Sequence, residues 1–173
     1  MAVEAKAELL TIAQLAVTLI GFSGLIAVFR ASTTRRWVPR DITAAAIVIC
    51  AGGMGLLYSL FPFVLVYAGI TNDTMWAITS VVFSIGLFAG VTIFLVVSRR
   101  LSQAGHQERM PHLNRITVSL AAAFGLALIA NAFWVAVPRR PAVYLAALVF
   151  LLIIPVCFMA FRLWLFAPAG DDA

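Results

Sequence analysis

From the N-terminus onward, long apolar runs alternate with short polar bursts. The runs cover residues 9–29, 42–68, 75–98, 116–137 and 142–167. A helix rises about 1.5 Å per residue and the hydrocarbon layer is about 30 Å thick, so about 20 apolar residues make one crossing. Each run reaches that length. The runs are continuous and roughly twice as long as a barrel strand, without the in-out alternation of a barrel wall. Within lipid only a helix then satisfies its own backbone N–H and C=O groups. The pattern predicts an all-α membrane protein with five transmembrane helices forming a single transmembrane domain over residues 1–173.

The polar bursts mark the ends of the runs. Arg30 stops the first, and Pro39-Arg40-Asp41 open the second, with Asp41 expected as its N-cap. The turn Thr71-Asn72-Asp73-Thr74 precedes the third, which ends at Arg99-Arg100. Pro138-Arg139-Arg140-Pro141 is the whole link between the fourth and fifth, short enough to force an antiparallel hairpin, and Pro141 suits a first helical position. The longest loop, 99–115, holds His106 and His112, and its Gly105 and Pro111 argue against one continuous helix.

The stretches 9–68 and 75–137 are alike in outline, so the expected arrangement is two helical hairpins plus a fifth helix. Each has a Gly-rich first helix, Gly21-Phe22-Ser23-Gly24 or Gly86-Leu87-Phe88-Ala89-Gly90, then a basic loop and an Ile-Thr opening at Ile42-Thr43 or Ile116-Thr117. That outline fits an internal duplication, and it also fits the general abundance of Gly and Ala in membrane helices.

Composition removes the soluble alternatives. Hydrophobic residues make up 64% of the chain and charged residues 11%, with a mean hydropathy of +1.06, too little polar surface to cover a domain in water. The net charge of +5 comes from twelve basic residues, all Arg except Lys6, placed beside the apolar runs. That placement suits anionic lipid headgroups, Arg35, Arg36, Arg99 and Arg100 foremost, and not the basic docking face that nucleic acid requires. The N-terminal stretch is acidic where a secretion signal would be basic, so the first run is expected to be a retained helix.

Orientation follows from the flanking cations. With the N-terminus outside, Arg30, Arg35, Arg36, Arg40, Arg99, Arg100, Arg109, Arg115 and Arg162 fall inside, against Lys6, Arg139 and Arg140 outside. Nine against three predicts N-out and C-in, in a cell membrane of the bacterial inner-membrane kind.

Deep in the runs there is no Asp, Glu, Lys or His. Coupled transporters, haem proteins and intramembrane proteases depend on such groups. The expectation is therefore a non-enzyme without cofactor or metal. His106, Glu108 and His112 are the one loop cluster, and their spacing, broken by Pro111, is poor for a metal. Cys50 and Cys157 lie inside runs, form no CxxC pair, and read as small core residues at similar depth, expected to meet if the second and fifth helices are neighbours. Pro62 and Pro155 should each kink a helix.

The uncharged polar residues sort by depth. Gln14, Thr18, Tyr58, Ser59, Thr79, Ser80, Asn131 and Tyr144 fall in the outer halves, which yields two readings. One is a polar vestibule with Arg139 and Arg140 at its lip; the other is hydrogen-bonding glue between helices. On the first helix Thr11, Gln14, Thr18, Gly21 and Leu25 share a face that should meet protein or water. The inner halves carry small residues suited to close packing, among them Gly21, Gly24, Gly52, Gly53, Gly55, Ser84, Gly86 and Gly90.

The segment Ala16-Val-Thr-Leu-Ile-Gly-Phe-Ser-Gly-Leu-Ile-Ala-Val-Phe-Arg30 resembles the first helix of small uncharacterised bacterial multi-pass membrane proteins. The resemblance covers one span and implies no activity. The leading expectation is an oligomeric pore or passive transport protein for small anionic or neutral solutes, with membrane lipids and copies of itself as partners. The alternative is a non-catalytic accessory subunit of a larger membrane complex.

Overall fold

A computed structural model describes residues 5–33, 39–103, 111–133 and 140–165, and all of the secondary structure among them is helical. Among the described residues there are five helices: α1 (Lys6–Thr33), α2 (Pro39–Tyr67), α3 (Asn72–Gln103), α4 (Pro111–Phe133) and α5 (Arg140–Leu165). Four carry a stretch long and apolar enough to cross a membrane: Lys6–Leu25, Ala46–Tyr67, Asn72–Arg100 and Arg115–Phe133. In α5 the apolar stretch among the described side chains, Pro141–Ile154, is shorter.

The helices overrun the apolar runs at most ends. α1 continues past Arg30, α3 continues past Arg99 and Arg100, and α4 already contains His112 and Arg115. Hydropathy marks where a helix enters lipid, whereas hydrogen bonding decides where it stops. Pro39 and Pro111 each stand first in a helix, where the missing N–H is no loss and φ is already helical. Asp41 is accordingly the third residue of α2 and not its N-cap.

The connection between α2 and α3 is closed by local chemistry. Gly69 adopts φ 82°, its N–H donates to the Val66 carbonyl, and the Ile70 N–H donates to the Leu65 carbonyl. This is a Schellman ending, and the positive φ suits a residue without Cβ. The Met75 N–H donates to the Thr71 carbonyl and the Thr71 hydroxyl to the Thr74 hydroxyl, so Thr71 stands at the N-cap position and the helix starts three residues before its apolar run.

The chain divides into two compact units. One spans Phe61–Ala147 and so contains α3, α4, the end of α2 and the start of α5; the other contains Ala5–Leu60 and, among the described residues, 148–165. Large apolar side chains are exposed in both, including Leu15, Phe22 and Leu57 in the α1 unit and Ile85, Ile93 and Leu126 in the α3/α4 unit. Polar Ser59, Thr79, Ser80, Ser84 and Asn131 are buried instead. Apolar outside with polar inside is the arrangement that suits lipid as the solvent.

Candidate functional site

In the α3/α4 unit the first half of α3 carries a stripe of polar groups beside buried Met75, Phe83 and Leu87. Asn72, Trp76, Ser80 and Ser84 follow one another at four-residue steps, which places them on one face a turn apart. Thr79 lies beside them, fully buried, with its hydroxyl donating to the carbonyls of Met75 and Trp76.

Asn131 and Ser84 of this unit each bond across to a neighbouring helix. Asn131 of α4, 2% exposed, donates from Nδ2 to the Ser80 Oγ at 3.1 Å. The Ser84 hydroxyl donates to the Gly125 carbonyl at 2.9 Å. That carbonyl accepts from α3 where the helices are close. A Cβ built at Gly125 would lie 2.9 Å from Phe88 Cζ, so a larger residue there would require the ring to shift. From α5, Tyr144 packs edge-on against Trp76 and Phe83, with ring centroids 5.6 Å and 5.4 Å apart. Edge-to-face geometry sets a positive ring edge on a negative face and adds about 0.5–1.5 kcal/mol to the burial itself.

The α1 unit is built differently. Ser23 donates to the Leu19 carbonyl and Ser59 to the Gly55 carbonyl, both within their own helices. Close approach comes from Gly52 and Gly55. A Cβ at Gly52 would lie 2.6 Å from Ile20 Cγ1 and 3.3 Å from the Ala16 carbonyl oxygen, and one at Gly55 would lie 2.8 Å from Leu152 Cδ2. Tyr58 is half-buried.

On α1, Leu9, Ile12, Ala13, Ala16 and Ser23 are buried, whereas Thr11, Gln14, Thr18, Gly21 and Leu25 are exposed. The Thr11 hydroxyl donates to the Ala7 carbonyl and the Thr18 hydroxyl to the Gln14 carbonyl, each one turn back. Both donors are thus used inside the helix.

Of the eight polar residues singled out from the sequence, Thr79, Ser80, Asn131 and Tyr144 therefore lie in the α3/α4 unit and Gln14, Thr18, Tyr58 and Ser59 in the α1 unit. Ser80 and Asn131 are hydrogen-bonded; Gln14 and Thr18 face outward. Among the small residues, Gly52 is at a close contact, whereas a Cβ at Gly21, Gly24, Gly53 or Gly90 would meet nothing within 4 Å. Gly86 is half-buried. Spacing alone did not single out Gly125, because nothing in its own sequence surroundings distinguishes it. Trp76 and Phe83 were equally hidden, since a Trp or Phe in an apolar run carries no mark of which face it takes. The four-residue repeat of Asn72, Trp76, Ser80 and Ser84 was the signal available.

Arg99 and Arg100 are exposed towards the end of α3. Arg140 is the first residue of α5, whereas Arg35, Arg36, Arg139, His106 and Glu108 lie outside the described residues. Contrary to the expectation from sequence, neither cysteine is a core residue: Cys50 and Cys157 are both free and exposed, next to exposed Ile49 and Val156. Among the described residues no group of three His, Cys, Asp or Glu is placed to hold a metal ion.

Compared with known protein families, curated proteins and solved structures, the chain matches none. The class that the fold supports is accordingly an all-helical protein with four helices fit to cross a membrane.

Proposed function

We propose that this chain assembles with copies of itself in a cell membrane to form a passive conduit for small neutral or anionic solutes. In this reading α5 is a fifth crossing and the N-terminus lies outside. The observation that carries the proposal is the outward face of α1, where Gln14 stands exposed on a helix otherwise suited to lipid. A carboxamide has two donors and an acceptor oxygen, and lipid tails satisfy none of them.

The face has the periodicity of a helix seam. Thr11, Gln14, Thr18, Gly21 and Leu25 advance by 3, 4, 3 and 4 residues, the spacing that keeps one stripe against a partner helix in a left-handed crossing. Gly21 has open space around it, so a neighbouring backbone can come close. A second copy is the fitting occupant because a carboxamide pairs with another carboxamide, each donating and accepting. In a ring of copies the same face surrounds an axis and lines it with amide donors and Thr oxygens. Such a lining hydrogen-bonds neutral solutes. Arg139 and Arg140 at the outer end and the absence of Asp and Glu from the α1 seam favour anions over cations.

The test is the mass of the purified chain in nanodiscs across a range of protein-to-lipid ratios, paired with solute flux into liposomes. A defined homo-oligomer is expected, and Gln14→Ala should weaken it by about 1–2 kcal/mol per interface, roughly tenfold. Flux of a small neutral solute should fall with it. A monomer at every ratio that is recovered only with other subunits would replace this reading with the accessory-subunit one. A stable oligomer whose liposomes leak no faster than protein-free ones would remove the conduit.

A further inference from the structure

In the α3/α4 unit, Trp76 is 2% exposed, and its indole Nε1 is buried with no hydrogen-bond partner. One turn earlier on the same face of α3, the Asn72 Oδ1 is also buried and without a partner. These two atoms are complementary, one a donor and one an acceptor, yet they do not bond to each other. Buried polar groups in folded proteins are satisfied in the great majority of cases, by protein or by water. Two orphans of opposite polarity on adjacent turns of one helix face therefore point to a third group between them.

The chemistry of that group follows from the atoms. It must accept from the Trp76 N–H and donate to the Asn72 carbonyl oxygen. A hydroxyl does both at once. A carboxylate, phosphate or halide accepts but has no proton for Asn72, and an ammonium donates but offers Trp76 no lone pair. Buried waters bridge such orphans, typically with about three hydrogen bonds each.

We infer that Asn72 and Trp76 form a binding site for one neutral hydroxyl group, supplied by a water molecule or by the hydroxyl of a lipid headgroup. The site stands at the start of α3, where the stretch fit to cross a membrane begins, so both sources are at hand. Below it the stripe carries the Asn131 to Ser80 and Ser84 to Gly125 bonds between α3 and α4, so the complementary donor and acceptor on adjacent turns are those of the first two turns. The inference stands apart from the oligomeric conduit, since every residue it uses lies in the α3/α4 unit.

The experiment is nuclear magnetic resonance of the full chain labelled with ¹⁵N at the tryptophan indoles, in nanodiscs. One set is phosphatidylcholine, whose headgroup has no hydroxyl, and the other is phosphatidylglycerol, whose headgroup has two. Trp76→Phe assigns the resonance. The expected result is a downfield, hydrogen-bonded Trp76 indole N–H with a cross-peak to water in both lipids, and loss of that cross-peak in Asn72→Leu while the Tyr144 ring contact persists. A cross-peak to glycerol protons in phosphatidylglycerol alone identifies the lipid hydroxyl as the occupant. An unbonded indole shift with no cross-peak to water or lipid in either membrane would overturn the site. An unchanged cross-peak in Asn72→Leu would overturn the role of Asn72.

Discussion

In the α3/α4 unit hydrogen bonds cross between helices, from Asn131 to Ser80 and from Ser84 to the Gly125 carbonyl. In the α1 unit the hydroxyls of Ser23 and Ser59 turn back onto their own helices, and Gly52 and Gly55 bring apolar side chains close instead. The contrast shows two answers to one difficulty. Lipid tails are as apolar as leucine, so burying a leucine between helices gains little from leaving lipid, and association rests on close packing and on interhelical hydrogen bonds. The bonds of Asn131 and Ser84 illustrate the second device, and the contacts of Gly52 and Gly55 the first. The α3/α4 unit does not do without glycine, because its Ser84 bond lands on a carbonyl that Gly125 makes approachable.

The comparison is most easily broken at Gly52. Gly52→Ala places a methyl 2.6 Å from Ile20 Cγ1, the branched stem of a side chain that has little freedom to swing, with the Ala16 carbonyl oxygen 3.3 Å away. Overpacking of this kind costs about 1–3 kcal/mol. Reversible unfolding in mixed micelles should show that loss for Gly52→Ala and none for Gly53→Ala, whose methyl meets nothing within 4 Å. Equal losses at both positions would mean that close contact is not what holds the α1 unit.

Gly125→Ala comes next. The methyl would touch three atoms of the Phe88 ring at 2.9–3.3 Å, and a ring can rotate away from it more readily than the Ile20 stem can. A destabilisation of about 1 kcal/mol is expected, with part of the Ser84 bond lost as the helices part. Ser84→Ala in the Gly125→Ala background should then cost less than Ser84→Ala alone, and strict additivity would separate the two effects.

Smaller still is the Asn131 to Ser80 bond. A double-mutant cycle over Asn131→Leu and Ser80→Ala, read by the same unfolding assay, should give a coupling of about 0.6 kcal/mol. A coupling indistinguishable from zero would remove the polar half of the comparison. The smallest effect belongs to Thr18→Val on α1. The hydroxyl bonds only to the Gln14 carbonyl of its own helix, so the stability of the single chain should stay within about 0.5 kcal/mol of the parent.

The positions of the helices were legible from the sequence because hydropathy over about twenty residues is a strong signal. Their ends were less so. Asp41 looked like a cap, yet Pro39 already begins α2, and the start of α3 after Thr71 depends on a backbone bond from Met75 that no composition reveals. The polar residues of the spans were identifiable as a set, but Gln14 and Asn131 met opposite fates. One is exposed on α1 and the other is 2% exposed and bonded to Ser80. Cys50 and Cys157 looked like core residues because small apolar groups usually are, but in a chain surrounded by lipid the outer surface accepts them equally well.

What the sequence determined by itself is the class of element: long apolar runs leave no structure but helices suited to lipid. What only the tertiary structure decided is which face of each helix turns inward, and so which polar groups are satisfied within the chain. The reason is physical. In water, apolar residues mark the buried face of a helix, but in lipid both faces are apolar and that mark disappears. Rotation about the helix axis is then set by a few close contacts and hydrogen bonds, Gly52 on Ile20, Phe88 on Gly125 and Asn131 on Ser80, between residues far apart in sequence.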